Sequence, residues 1–236
     1  MKKYAIIVAA GSGKRMGTSL PKQFLLLHHK PVLWYTLNAF LDAFADLEII
    51  LVLAEEYMED GEALIESTHS PHRIRVVEGG ETRFHSVQNG LLYTPRDSVV
   101  FIHDGVRCLI TKDLVQYCYK MTMEKGNAVP SIVSADSVRI ETPTANVAVD
   151  RNKVRIIQTP QTFYSNTVKV AFEQDYDELF TDEASVVERS GVKINLVDGD
   201  VTNIKITKPI DLVIAEKILA ERAGFVSAEP GASDPA

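Results

Sequence analysis

The sequence predicts an α/β fold: a doubly wound, mostly parallel, Rossmann-like sheet from which a β-arm protrudes. Three observations carry this. Short β-branched runs alternate with segments of helical period, the order expected of βα units laid side by side. The runs are continuously apolar rather than alternating, so helices must cover both sheet faces. One segment, 134–157, breaks the rhythm with alternating apolar and polar residues around the turn-rich "TPTAN".

Taken in order, strands are expected at "YAIIVAA" (4–10), "EIILVLA" (48–54), "RIRVVEG" (73–79), "SVVFIHD" (98–104) and "AVPSIV" (128–133). Helices are expected at 31–43, where Pro31 suits a first helical position, at 82–93, and at 111–126, with Thr111 as N-cap and Gly126 as stop. Segment 134–157 reads as a hairpin or extended arm leaving the globule. A lone hairpin is marginal in water, so a second protomer is its expected support, and a homodimer through the arm is expected. Beyond it come a helix near 166–175 and another over 181–191, capped by Thr181 and stopped by Gly191. Strands at "VKINLVDG" (192–199) and "NIKIT" (203–207) and a closing amphipathic helix over 208–224 complete the chain. Residues 1–224 are expected to form a single domain that includes the arm, and 225–236 a disordered tail.

Composition narrows the function classes. A chain of 236 residues with 45% hydrophobic and 24% charged content suits a globular domain and excludes a disordered or fibrous class. Its formal net charge of −7 argues against nucleic acid or a membrane surface as partner, so any anion site must gather Lys and Arg locally. No apolar run approaches the ~20 residues that span a bilayer. The N-terminus begins like a signal peptide, but its apolar stretch is only about seven residues long and ends in a Gly-Lys-Arg loop, which favours a first strand. Cys108 and Cys118 follow no metal-ligand spacing and read as buried reduced thiols, which points to the cytoplasm.

The loop "AAGSGKRMG" (9–17) follows the first strand, where three kinds of phosphate cradle occur. A P-loop fails: Arg15 follows Lys14 where a hydroxyl is required, and Val8 stands where the first glycine belongs. The dinucleotide fingerprint fails too, because Gly17 comes one residue late and Met16 occupies the close-contact position. The third kind lets backbone N–H groups at the sheet's carboxyl edge face a triphosphate, with Arg15 and Lys22 adding charge. A solvated Gly-rich turn with two basic residues remains the bland alternative.

Other segments decide what company the loop keeps. "AAGSGKRMG" with "PKQF" (21–24) looks like the signature of nucleotide-sugar-type pyrophosphorylases. "GGETRFHSV" (79–87), "IHDGVR" (102–107), "DRNKVRIIQTPQTF" (150–163), "TDEAS" (181–185) and "NIKIT" narrow it. Ordered over 4–224, these motifs resemble the 2-C-methyl-D-erythritol 4-phosphate cytidylyltransferase family, CTP-using enzymes of non-mevalonate isoprenoid synthesis with a nucleotidyltransferase fold.

The resemblance implies that a phosphate oxygen of methylerythritol phosphate attacks the α-phosphorus of CTP and pyrophosphate leaves. A phosphate dianion needs no general base; fixed cations and in-line placement are the requirement. By resemblance, Arg15 and Lys22 stabilise the transition state, and the backbone of Ala9, Ala10, Gly11, Ser12 and Gly13 holds CTP. Gly80, Glu81 and Ser86 fall on the cytosine-recognition segment, with Glu81 where the family has Asp. Arg151 and Lys205 position the acceptor, Arg151 from the arm of the partner subunit. Ser137 (often threonine in the family) and Thr159 are further positioning candidates, and Arg107 is a candidate phosphate binder. Asp104 suits the ribose, the acceptor or magnesium. The implied cofactor is Mg²⁺, bound mainly to the phosphates. "HDGVR" departs from the common "HDAAR", and Cys108 stands where proline is usual.

Two rival readings remain at this level. A ribitol-5-phosphate cytidylyltransferase would share the nucleotide loop and differ in the polyol pocket. A non-catalytic nucleotide-binding module would have lost the cations, yet Arg15, Lys22, Arg151 and Lys205 are all present. The six histidines show no metal-ligand spacing, and His103 reads as a hydrogen-bonded core residue.

Overall fold

β1 (Lys2–Val8) is an interior strand shielded by helices on both faces, and Tyr4, Ala5, Ile6 and Ile7 are all buried. In the computed structural model, residues 1–11 and 20–224 are described. Ser12, Gly13, Arg15 and the expected tail at 225–236 lie outside those residues. β1 pairs in parallel with β4 (Leu47–Leu53) on one side and β6 (Ser98–Asp104) on the other, and β4 pairs in parallel with β5 (Ile74–Glu78). Beyond β6 lies β11 (Gln161–Tyr164), antiparallel to both β6 and β7 (Asn127–Val133), while β12 (Leu196–Asp198) runs parallel to β7. The sheet is therefore mostly parallel, with two reversed strands, β11 and β10 (Arg155–Ile157), the latter antiparallel to β7.

Both faces are covered, as the continuous apolar runs require. α1 (Val32–Ala43), α2 (Met58–Glu66) and α4 (Lys112–Lys125) pack on one side around Phe40, Phe101 and Leu51. α3 (Arg83–Leu91), α5 (Ser165–Ala171) and α6 (Glu183–Arg189) pack on the other around Ile6, Val100 and Phe163. α7 (Pro209–Arg222) instead seals the carboxyl end of the sheet, where Ala215 joins Leu27, Val106 and Ile206. Thr111 caps α4 by accepting the Leu114 N–H, and Gly126 ends it at φ 94°, a left-handed conformation that a side chain would oppose.

Several expectations need correction. α2 carried no assignment, because Gly61 interrupts its pattern; that glycine lets the helix lie directly on Leu53 of β4. α6 is capped by Asp182, not Thr181: Asp182 Oδ1 accepts the Ser185 N–H at 2.9 Å and closes a capping box. "NIKIT" joins no sheet; it is an extended segment held by single bonds such as Ile206 N–H to Val106 O at 3.0 Å. Arm segment 134–157 divides. A short antiparallel hairpin of β8 (Val138–Glu141) and β9 (Asn146–Val149) projects with Ile140 and Val147 paired and exposed, whereas β10 (Arg155–Ile157) returns to β7.

That return has a consequence for the site. Between the pairs Ile157↔Ser131 and Thr162↔Ala128 the chain advances five residues against three on β7, so two residues bulge out. The bulge holds Thr159 and Pro160, joined by a cis peptide. Both cysteines are buried and free, and burial pushes each thiol up to about 12. Among the described residues no helix is long and apolar enough to cross a membrane.

Candidate active site

β1 and β6 are adjacent and parallel, yet the chain leaves β1 towards β4 and reaches β6 only after β5. Their carboxyl ends therefore flank a topological switch point, the place where open α/β sheets leave a crevice. A cleft of ≈ 430 Å³ opens there. Its walls come from Val8–Gly11, Lys22 and Gln23, the segment 80–83 with Ser86, Asp104 and Val106, and Lys205.

The stem of the Gly-rich loop is fixed from beneath. Gln23, fully buried, donates its side-chain amide to Ala9 O at 2.7 Å and Gly11 O at 3.3 Å, while Ala9 N–H donates to Val52 O at 2.8 Å. Lys22, beside it on the short helix Lys22–Phe24, donates to Ile206 O at 3.1 Å and so meets the 203–207 segment across the cleft.

The 79–86 segment is shaped by the start of α3. Thr82 caps that helix, and Ser86 Oγ accepts the Gly80 N–H at 3.1 Å while donating to Thr82 O at 3.0 Å. A side chain at Gly80 would collide with His85, whose carbonyl carbon lies 2.9 Å from a β-carbon placed there. At Gly79 the same carbon would meet Ala10 Cβ at 2.5 Å, so the two loops are packed against each other.

Asp104 is the electrostatic centre. Its carboxylate, 9% exposed, accepts from Arg83 on Oδ1 at 3.2 Å, and from Lys205 at 3.0 Å and Arg107 at 3.4 Å on Oδ2. Burial opposes its ionisation, but Arg83, Lys205 and Arg107 outweigh burial and hold the carboxyl well below the usual carboxylate range. Its backbone N–H donates to Thr159 Oγ1 at 3.1 Å, so the bulge in the β10–β11 run supports Asp104 from behind. The Thr159 hydroxyl in turn meets His103 Nδ1 at 2.9 Å, and His103 Nε2 faces Arg107 O at 3.3 Å. A carbonyl only accepts, so Nε2 carries the proton and Thr159 donates to Nδ1. Burial lowers His103 to about 3, which keeps it neutral.

The family model described as 2-C-methyl-D-erythritol 4-phosphate cytidylyltransferase matches residues 4–221. The chain belongs to that family. It is 42% identical over 219 residues to the 2-C-methyl-D-erythritol 4-phosphate cytidylyltransferase of Phocaeicola vulgatus, covering 93% of this chain and 100% of that one. It also resembles the crystal structure of 4-diphosphocytidyl-2C-methyl-D-erythritol synthase from Anaerococcus prevotii, with TM-score 0.81 and 27% identity over 92% of this chain and 96% of that one. The 2-C-methyl-D-erythritol 4-phosphate cytidylyltransferase of Francisella tularensis gives TM-score 0.77 and 30% identity over 92% and 99% of the two chains.

Within this cytidylyltransferase fold, the residues singled out from sequence fall into three groups. Ala9, Ala10, Gly11, Lys22, Gly80, Glu81, Ser86, Asp104 and Lys205 share one cleft. Thr159 and Arg107 stand behind it: Arg107 donates to Asn203 O at 2.8 Å and Ile157 O at 3.4 Å, tying three segments together around Asp104. Ser137 and Arg151 are exposed on the arm, where Arg151 donates to Ala135 O at 3.0 Å, and neither reaches the cleft of its own chain. Sequence reasoning missed Gln23, Arg83 and Glu183. All three sit inside quoted motifs, but their partners lie elsewhere in the chain.

The donor set bears on magnesium. Among the described residues no three His, Cys, Asp or Glu side chains gather into a metal cage, and both oxygens of Asp104 face cations. Mg²⁺ commonly takes few protein ligands and relies on phosphate oxygens and water. The cleft therefore fits an ion carried by a triphosphate rather than one held by the protein alone.

Proposed function

We propose that this chain transfers the cytidylyl group of CTP to 2-C-methyl-D-erythritol 4-phosphate, giving 4-diphosphocytidyl-2-C-methyl-D-erythritol and pyrophosphate. The observation that carries this is the convergence of the loop stem, Lys22, Asp104 and Lys205 on one cleft at the switch point, in a member of this family. Both reactants are anionic, so the protein's work is to neutralise charge and align the attacking oxygen with the α-phosphorus.

Lys22 lies at the loop stem, where fixed positive charge would stabilise the added negative charge of the five-coordinate phosphorus, and Arg15 is assigned the same task. Lys205, held by Asp104, takes the acceptor phosphate. Gly80, Glu81 and Ser86 read the base: a carbonyl or carboxylate acceptor there takes the cytosine amino proton, which uracil lacks. Mg²⁺, when bound to the triphosphate, supplies further neutralisation. Arg151 and Ser137 complete the acceptor subsite from the partner's arm in a homodimer, a reading supported by the exposed Ile140–Val147 pair and by neither residue lining its own cleft. Residues 1–224 act as one domain, and the buried free thiols favour a cytoplasmic setting.

Base selectivity tests the nucleotide half of this assignment. Initial rates of pyrophosphate release with methylerythritol phosphate should be about ten- to a hundredfold higher with CTP than with UTP at subsaturating nucleotide. Equal rates with the two would remove the 80–86 segment from base recognition.

A further inference from the structure

Glu183 is a carboxylate buried to 1% exposure, the first residue of α6, and it does not line the cleft. Its placement is built. Gln161 of β11 grips both of its neighbours in sequence, accepting the Ala184 N–H at 2.7 Å and donating to Asp182 Oδ2 at 2.9 Å. A buried ion pair gives little net stability against an apolar replacement, so stability alone does not account for it.

The carboxylate faces Arg83. Both Glu183 oxygens accept from the guanidinium, Oε1 from Nη1 and Oε2 from Nη2 at 3.1 Å. The opposite side of the same guanidinium, Nε and Nη2, donates to Asp104 Oδ1 at 3.3 and 3.2 Å. Oδ2 is thereby left to Lys205 and Arg107. Charges alternate from the buried end to the cleft: Glu183, Arg83, Asp104, Lys205.

We propose that Glu183 is a positioning residue for the acceptor subsite, acting through Arg83 on Asp104 and so on Lys205. A guanidinium fork prefers to grip both oxygens of a carboxylate. With Glu183 occupying two of its donors, Arg83 is confined to Oδ1 of Asp104. Without that counter-charge the fork turns to take both Asp104 oxygens and competes with Lys205 for Oδ2. Lys205 then loses the anchor that aims it into the cleft. The inference rests on the proposed function for its substrate, and on the geometry alone for its effect on Lys205.

Glu183→Gln, which keeps shape and removes the charge, tests both arms. In steady-state assays the KM for methylerythritol phosphate should rise about tenfold, while the affinity for CTP alone, measured by calorimetry, should change less than about threefold. In an Arg83→Gln background the same substitution should add nothing, because its effect passes through Arg83. Independently of any substrate, trace acetylation followed by peptide mass spectrometry should label Lys205 several-fold faster in Glu183→Gln than in the unaltered protein, relative to Lys22. An unchanged Lys205 labelling ratio in a folded variant overturns the inference, as does an equal loss of CTP affinity or a full effect without Arg83. If the unaltered protein does not use methylerythritol phosphate, the proposed function fails, and the labelling ratio still decides the role of Glu183.

Discussion

Lys22→Ala should cut turnover by about two to three decades while CTP binding weakens far less. Lys22 lies where the loop stem, the 203–207 segment and the cleft meet, with its ammonium on Ile206 O at 3.1 Å. The charge that grows on the phosphoryl oxygens during attack is absent from bound CTP, so a cation placed for it contributes more to the rate than to the affinity. Single-turnover rates and calorimetric CTP titration separate the two quantities. A variant that loses affinity and rate in equal measure would make Lys22 a ground-state phosphate anchor.

Mixing two inactive variants should restore activity. Lys22→Ala and Arg151→Ala, each expected to be severely impaired, disable different contributors to a composite site. In a mixed dimer, one site receives both defects and the other receives neither. Equal mixing with free exchange should therefore recover about a quarter of the unaltered activity, since half of the dimers carry one intact site. If Arg151 serves its own subunit, each site of the mixed dimer carries one defect and nothing is regained. The exposed placement of Arg151, whose side chain donates to Ala135 O on its own arm, motivates the first outcome. An active monomer in sedimentation-coupled assays would contradict it as well.

Much of the fold is legible because its signals are local. Continuous apolar runs mark β1, β4 and β6, and Thr111 and Gly126 bracket α4 as cap and stop. Where neighbours compete, tertiary contacts decide: Thr181 and Asp182 are both able to cap α6, but Asp182 also receives Gln161 from β11. "NIKIT" has the alternation of a strand, but its backbone is held by the site instead: Ile206 N–H donates to Val106 O and Ile206 O accepts from Lys22.

The site divides along the same line. Residues within one motif, such as Gly80 and Ser86, announce themselves through spacing, because helix α3 brings them together. Arg83 and Glu183 do not. They lie a hundred residues apart, and their pairing depends on how α3 and α6 pack on the same face of the sheet. Nor does spacing reveal the two-residue bulge that sets Thr159 behind Asp104.

The most direct test of the assignment is pyrophosphate release from CTP with each of two acceptors, methylerythritol phosphate and ribitol 5-phosphate, at matched concentrations. The account predicts efficient release with methylerythritol phosphate and a product mass equal to its cytidine diphosphate conjugate. Faster release with ribitol 5-phosphate, or CTP binding without release on either acceptor, would contradict it.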